Sequence, residues 1–390
     1  MDRFTLHVRL TKKCNADCSY CSSWQEAAIS YMPPDKFARA IDYLADKVLP
    51  VMGLGIGPDG RKAGGHASIQ YVGGEILLLP RRVLRENVLY ARDRLAPLFD
   101  SVRDGVQSNL IAPENKVAFL HSLFGNSIGT SVDNFSGQRT IKGDPAKYRE
   151  IFERNRQALR RRRGLNPSGI FVVDKIGLGN MQGEIEIAER DGYDLTLRPV
   201  FQGGSDIDTA SVADLSGGLG EAFSRWALTS NISIQPFYKL FAQRVANLMR
   251  DEPAFLADAG CPFQKNCARV SLDLEPNGDL YICLDMADSD QYKLGNAVTG
   301  EFDTEIWSGL DRRREHFDQK CQQCTWLAEC QGGCMSEAIH HTGSPYGRTD
   351  LCDVWVEIFQ RSDALIEQHG LQHCRDWLNS LSQRKPVAAE

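Results

Sequence analysis

From Phe4 to Phe237 the chain switches repeatedly between two hydrophobic periods, and this limits its fold more than any other feature. Phe4, Leu6, Val8 and Leu10 alternate with Thr5, His7, Arg9 and Thr11, the period-two pattern of a strand. Phe37, Ala40, Ile41, Leu44 and Val48 then recur at helical spacing behind a Pro-Pro-Asp start. Further strands are predicted near 69–72, 104–110, 127–133, 169–175, 194–201 and 232–237, with helices over 80–95, 113–123, 145–161 and 181–190. Repeated strand–helix units imply a parallel sheet with right-handed crossovers. Roughly six units are too few for a closed eight-stranded barrel. The expected fold class is therefore α/β, with a partial (β/α)6 TIM-like barrel open on one side.

After Asp251 the pattern changes: cysteines become dense, short strands replace the strand–helix units, and a final helix is predicted over 353–369. The predicted division is a core over 1–250, a cysteine-rich domain over 251–355 and a helix with a tail over 356–390. A chain of 390 residues is long enough for such a division. Its net charge of −6 argues against a general nucleic-acid binder, which needs a basic footprint. The sequence has no apolar run long enough to span a bilayer, and the charged first residues do not read as a secretory signal. The run Arg160–Arg163 closes a predicted helix, where cations complement the helix dipole. The Gly-rich stretch over 53–65 lacks the Gly-Lys-Ser/Thr of a phosphate loop and reads as a surface loop.

The twelve cysteines lie in tight ligand-like groups in a large chain, which favours metal binding in a reducing cytoplasm over disulfides. Cys14, Cys18 and Cys21 follow the first strand with gaps of three and two residues, and Tyr20 puts an aromatic ring beside them. Thiolates are the usual ligands of iron–sulfur clusters, and three of them leave one iron open. The same thiols would also suit a zinc knuckle. Downstream, Gly73-Gly74-Glu75 follows the second strand, Gln107-Ser108-Asn109 ends the third and Ser131-Val132-Asp133 ends the fourth. Ligands of parallel α/β folds gather at these carboxyl ends.

The cysteine loop with its aromatic residue, and the three strings in this order, resemble the radical S-adenosylmethionine (SAM) enzymes. The resemblance implies a [4Fe–4S] cluster on Cys14, Cys18 and Cys21 whose open iron takes the amino and carboxylate groups of SAM. It implies SAM contacts from Tyr20, Gly73, Gly74, Glu75, Gln107, Asn109, Ser131 and Asp133. Ile76 stands where the family often has proline. The later cysteines, with the pattern Cys267-x10-Gly278-x4-Cys283 and then Cys321, Cys324, Cys330, Cys334 and Cys352, resemble the SPASM extension. That resemblance implies two auxiliary [4Fe–4S] clusters, one on Cys261, Cys267, Cys283 and Cys334, the other on Cys321, Cys324, Cys330 and Cys352. Two four-cysteine zinc sites are the plainer alternative. Cys374 falls outside the pattern and reads as a half-buried thiol.

The implied activity is reductive cleavage of SAM to a 5′-deoxyadenosyl radical, hydrogen abstraction from substrate, and passage of an electron to the auxiliary clusters. Oxygen sensitivity and a reductant such as flavodoxin or ferredoxin follow from the same resemblance. Most SPASM enzymes act on peptides, which makes a peptide or protein the expected substrate. In sulfatase-maturating members an aspartate directly follows the cysteine matched by Cys283; here Leu284 stands there, and Asp285, one place later, is the candidate proton acceptor. Ser22-Ser23-Trp24 also replaces the aromatic residues those members usually carry. The first predicted strand begins at about residue 4, so leader recognition is expected from a separate protein or from a groove on the core. A small molecule, such as an aminoglycoside-like sugar or an amino acid, is the rival substrate, and an electron-transfer module is the non-enzymatic alternative.

Overall fold

The computed structural model describes residues 3–21, 31–56, 60, 62–201, 209–250, 263 and 267–383. Seven parallel strands follow one another across the sheet in chain order: β1 (Arg3–Arg9), β2 (His66–Val72), β3 (Ser101–Gln107), β4 (Ile128–Ser131), β5 (Ser168–Val173), β6 (Leu195–Pro199) and β7 (Ile234–Gln235). In β1 the predicted alternation is realised, with Phe4, Leu6 and Val8 almost fully buried. The crossovers are α1 (Pro34–Tyr43), α2 (Arg81–Leu95), α3 (Glu114–Phe124), α4 (Pro145–Arg163), α5 (Lys175–Asp191) and α6 (Val212–Trp226). Helix α1 runs on through a π-helical turn, Leu44–Val48, and the five apolar residues picked out by their spacing are all buried. The sheet ends in β7 on one side and does not close on itself, as a partial barrel requires.

Among the described residues, the cysteine-rich region does not build a sheet of its own. Strand β8 (Ser271–Leu274) lies parallel to β1 on the side opposite β2. Strands β9 (Asp279–Tyr281), β10 (Gly295–Asn296) and β11 (Glu301–Phe302) extend the same sheet antiparallel. The expected boundary near 251–260 lies outside the described residues.

Several helices were hidden in the sequence, among them the last one, Leu371–Ser382, which stands where a tail was expected. Helix α6 carries Gly217, Gly218 and Gly220, which conceal its period, but Ser211 caps it by accepting from the Asp214 amide at 3.1 Å. Gly220 is there for close packing: a Cβ would lie 2.8 Å from Arg361 Nε and 2.9 Å from Glu357 Cγ. Those residues belong to the long helix Cys352–His369, which packs on α6 and on α7 (Phe237–Met249), also unpredicted. Val354, Trp355, Ile358 and Phe359 bury one face of the long helix, and full burial of each such side chain is worth about 1.5–3 kcal/mol. Helix α5 begins at Lys175, well before the predicted 181, because Asp174 caps it by accepting from the Gly177 amide at 2.6 Å.

Candidate functional site

The carboxyl ends of the parallel strands open onto one cavity of about 270 Å³. Its wall includes Cys14, Cys18, Tyr20 and Cys21 from the loop after β1, Gly73 and Gly74 after β2, Gln107 to Asn109 after β3, and Ser131 at the end of β4. Ten of the residues singled out from sequence thus meet on one surface, counting Asp285 on its far side. Glu75 and Asp133 are absent from that wall.

Glu75 works behind it. Fully buried, it accepts from the Leu77 amide at 2.8 Å, the Ser108 hydroxyl at 2.9 Å and the Asn109 amide at 2.7 Å. Burial pushes its carboxyl up, and these three donors oppose the shift. The carboxylate therefore ties the Gly-Gly-Glu turn to the Gln-Ser-Asn turn. The Asn109 side chain continues the chain of contacts, donating to Asn15 Oδ1 at 3.0 Å and to Cys14 Sγ at 3.6 Å. Gly74 is required by contact: a Cβ there would stand 2.1 Å from the Lys13 carbonyl oxygen. The amides of Gly74 and Glu75 donate to the carbonyls of Thr11 and Lys13, which pins the cysteine loop to β2.

Asp133 turns into its own loop, accepting from Ser136 Oγ at 2.5 Å and from the amides of Ser136 and Gln138. That loop is a part of the site that sequence reasoning passed over. Its backbone pairs with the cysteine loop, Asp17 N to Thr140 O at 2.8 Å and Ser19 N to Gln138 O at 3.1 Å. It also delivers Arg139, 6% exposed, which donates to the hydroxyls of Tyr20 and Tyr148, each at 2.8 Å. The guanidinium stands 5.0 Å from the Tyr148 ring centre. No motif marked Arg139; the only signal was a lone arginine shortly after the Ser-Val-Asp string.

Opposite the cysteine loop the wall is built by Ile170, Val172, Arg198, Pro199, Val200 and Phe201, and by Leu284, Asp285 and Asp288 of the cysteine-rich region. Asp285 lies in the first turn of a short helix, Leu284–Asp288, and accepts from Arg198. Arg9, 3% exposed at the end of β1, pairs with Asp288 and Glu275, and Lys12 reaches Glu275 at 2.9 Å. These pairs fasten the short helix to the strand that leads into the cysteine loop.

The three amino-terminal thiols suit a cluster. Burial pushes Cys14 up to about 11 and raises Cys18 as well, and neighbouring thiols add to both shifts. Thiolates so placed need a strong positive partner, which iron supplies. A second cavity, of about 340 Å³, is lined by Cys321, Cys324, Cys330 and Cys352, by Trp326, Trp355 and Phe359, and by Lys320, Arg348 and Asp353 among others. Burial, with the other three thiols of the ring adding to it, pushes Cys330 up to about 12. Four thiols around a cavity of this size fit a cubane cluster. Four thiols are also zinc chemistry, with sulfurs about 2.3 Å from the ion. Cys267 and Cys334 both act on the buried Arg313, while Cys283 precedes the Leu284–Asp288 helix. Cys261 lies outside the described residues, as do Ser22, Ser23 and Trp24. Cys374 is fully buried, not half-buried, and stands apart from both cavities.

An open parallel sheet with a three-cysteine loop at its carboxyl edge and a cysteine-rich extension defines the fold class of the radical SAM enzymes. Among solved structures the chain is similar to anSMEcpe, an anaerobic sulfatase-maturating enzyme, with bound AdoMet: TM-score 0.74, 16% identity, 95% of this chain and 99% of that one covered. The form of anSMEcpe with AdoMet and the Cp18Cys peptide gives TM-score 0.73 at 16% identity, over 95% and 99% of the two chains. Streptococcus suis SuiB bound to its precursor peptide SuiA gives 0.55 at 15% identity, over 90% and 76%. These likenesses establish the fold. No protein-family model and no curated protein matches the sequence. No helix among the described residues is long and apolar enough to cross a membrane.

Proposed function

We propose that the protein is a radical SAM oxidoreductase that modifies a peptide or protein, by crosslinking, oxidation or epimerisation. It would carry three [4Fe–4S] clusters, one in the core over 1–250 and two in the region over 251–355. The observation that carries this reading is the single cavity joining Cys14, Cys18 and Cys21 to Gly73, Gly74, Gln107, Asn109 and Ser131. When bound, the amino-terminal cluster supplies the electron that cleaves SAM into methionine and a 5′-deoxyadenosyl radical. The chain's own part is placement. Gly73 and Gly74 bring bare backbone to the cavity wall, and the absence of a Cβ at each lets the cysteine loop lie directly against this turn. Ser131 presents a hydroxyl for the ribose or carboxylate, and Gln107 holds it at 3.4 Å. Arg139 keeps the Tyr20 ring against the cysteine loop.

Substrate would enter opposite this loop, between Phe201 and Leu284, and meet the Arg198–Asp285 pair. Asp285 is the proposed acceptor of the proton that an oxidised substrate releases, and Arg198 orients its carboxylate. Four thiolates at Cys321, Cys324, Cys330 and Cys352 leave no open position, which suits electron transfer and not substrate binding. Two solved relatives of the fold hold peptides, which supports a peptide substrate here. A cytoplasmic location, a flavodoxin- or ferredoxin-like reductant and a separate leader-recognition protein belong to the same proposal.

The test is intact mass after anaerobic co-expression with each short reading frame beside the gene, in light and in heavy water. Loss of two hydrogens marks an oxidation or crosslink, and deuterium gained alone marks epimerisation. SAM cleavage by the purified enzyme with every peptide unchanged would transfer the reading to a small-molecule substrate. Absence of SAM cleavage under strong reductant would leave only an electron-transfer module.

A further inference from the structure

Arg313 is 7% exposed, in the short helical turn Arg312–Arg314. No carboxylate among the described residues pairs with it. Asp311 and Glu315, the acids nearest in sequence, pair elsewhere: Asp311 with Arg269 at 2.7 Å and with Arg314 at 3.6 Å, Glu315 with Arg314 at 3.3 Å. The guanidinium instead donates to three backbone carbonyls, those of Pro345, Gly347 and Gly332, the last at 2.8 Å. The Phe317 ring lies 6.0 Å away. A buried cation of this kind is costly unless a negative group compensates it.

Its position identifies that group. Gly332 lies midway in the run Cys330-Gln331-Gly332-Gly333-Cys334, which links one candidate ligand of each auxiliary cluster. Gly332 also lines the cavity ringed by Cys321, Cys324, Cys330 and Cys352. The thiols that act on the Arg313 charge come from both sets: Cys267 and Cys334 from one, Cys321 and Cys330 from the other. A four-iron cluster on four thiolates is net negative and becomes more so on reduction. A fixed cation beside it therefore stabilises the reduced state.

We infer that Arg313 is the shared counter-charge of the two auxiliary clusters, a positioning residue that raises both reduction potentials and sets both to accept an electron. This rests on the cluster reading above. An EPR-monitored redox titration of the anaerobically reconstituted full chain, wild type against Arg313→Gln and Arg313→Lys, tests it. Both auxiliary potentials shift negative in the Gln variant and stay near wild type in the Lys variant, while the cluster whose signal responds to SAM is unmoved. A Gln variant with unchanged potentials, or with only one shifted, overturns the inference. If the Gln variant fails to load, iron and sulfide content of the Lys variant decides: full loading supports the counter-charge. Equal failure assigns Arg313 to holding the carbonyls and overturns it. A wild type that binds no iron sinks the cluster reading itself, which is a separate failure.

Discussion

The two cysteine groups use the same ligand atom in opposite settings. The amino-terminal group places three thiols in a wall that has glycine backbone, Gln107, Asn109, Ser131 and arginines beside them and Ile170, Val172, Val200 and Phe201 across from them. The Cys321–Cys352 group places four thiols against Trp326, Trp355 and Phe359. Three thiols with polar neighbours leave a position for a ligand that must be recognised. Four thiols in a ring leave none. One sheet joins the strands of the two regions, through the pairing of β1 with β8.

The largest effect that separates the groups is on SAM itself. Cys14→Ala or Cys18→Ala reduces 5′-deoxyadenosine formation to background, read by chromatography and mass. Cys324→Ala or Cys330→Ala instead blocks product while part of the SAM cleavage persists; full product formation in either variant would refute an electron-transfer role for that ring.

A smaller effect tests how the regions meet. Glu337, on the helix Met335–Thr342, accepts from Thr349 Oγ1 at 2.6 Å and lies within electrostatic reach of Asp285 and Arg198. Burial, with Asp350 and Asp285 adding to it, pushes its carboxyl from 4.5 up to about 7. The folded chain thus keeps a proton that the unfolded chain has already lost. Stability is largest below the unfolded value and falls as pH rises toward 7, by up to about 3 kcal/mol. Glu337→Gln removes that fall, and parallel melting profiles of the two proteins across this range would contradict it.

Smallest is a packing effect at the amino-terminal site. Gly74→Ala forces the Lys13 carbonyl and the cysteine loop aside, costing about 1–3 kcal/mol in denaturant unfolding. SAM affinity falls with it, while the Cys321–Cys352 ring keeps its iron. Equal loss of iron at both groups would mean that they are not separate devices.

Much of this was legible in advance because each signal was local. The alternation of Phe4 to Leu10, the cysteine spacings and the strings after β2 to β4 each fix a short segment, and strand-end geometry brings them together. What escaped depends on contacts across the chain. Helix α6 has a glycine-interrupted face that makes sense only against Arg361 and Glu357. Arg139 matters through Tyr20, more than a hundred positions away. Glu75 was placed among the SAM contacts by its motif, yet its partners are the backbone and Ser108, so its work is to join two turns. The joining of β8 to β1 depends on a pairing that no periodicity announces.

The central claim is that the amino-terminal cysteines alone leave an iron open to SAM. The most direct test is the EPR spectrum of the reduced protein with and without SAM, in wild type and in the Cys14/Cys18/Cys21→Ala variant. The account predicts that SAM perturbs one cluster signal in wild type and none in the variant, which retains the auxiliary signals. A SAM-dependent change that survives in the variant would place the open iron in the cysteine-rich region and contradict the account.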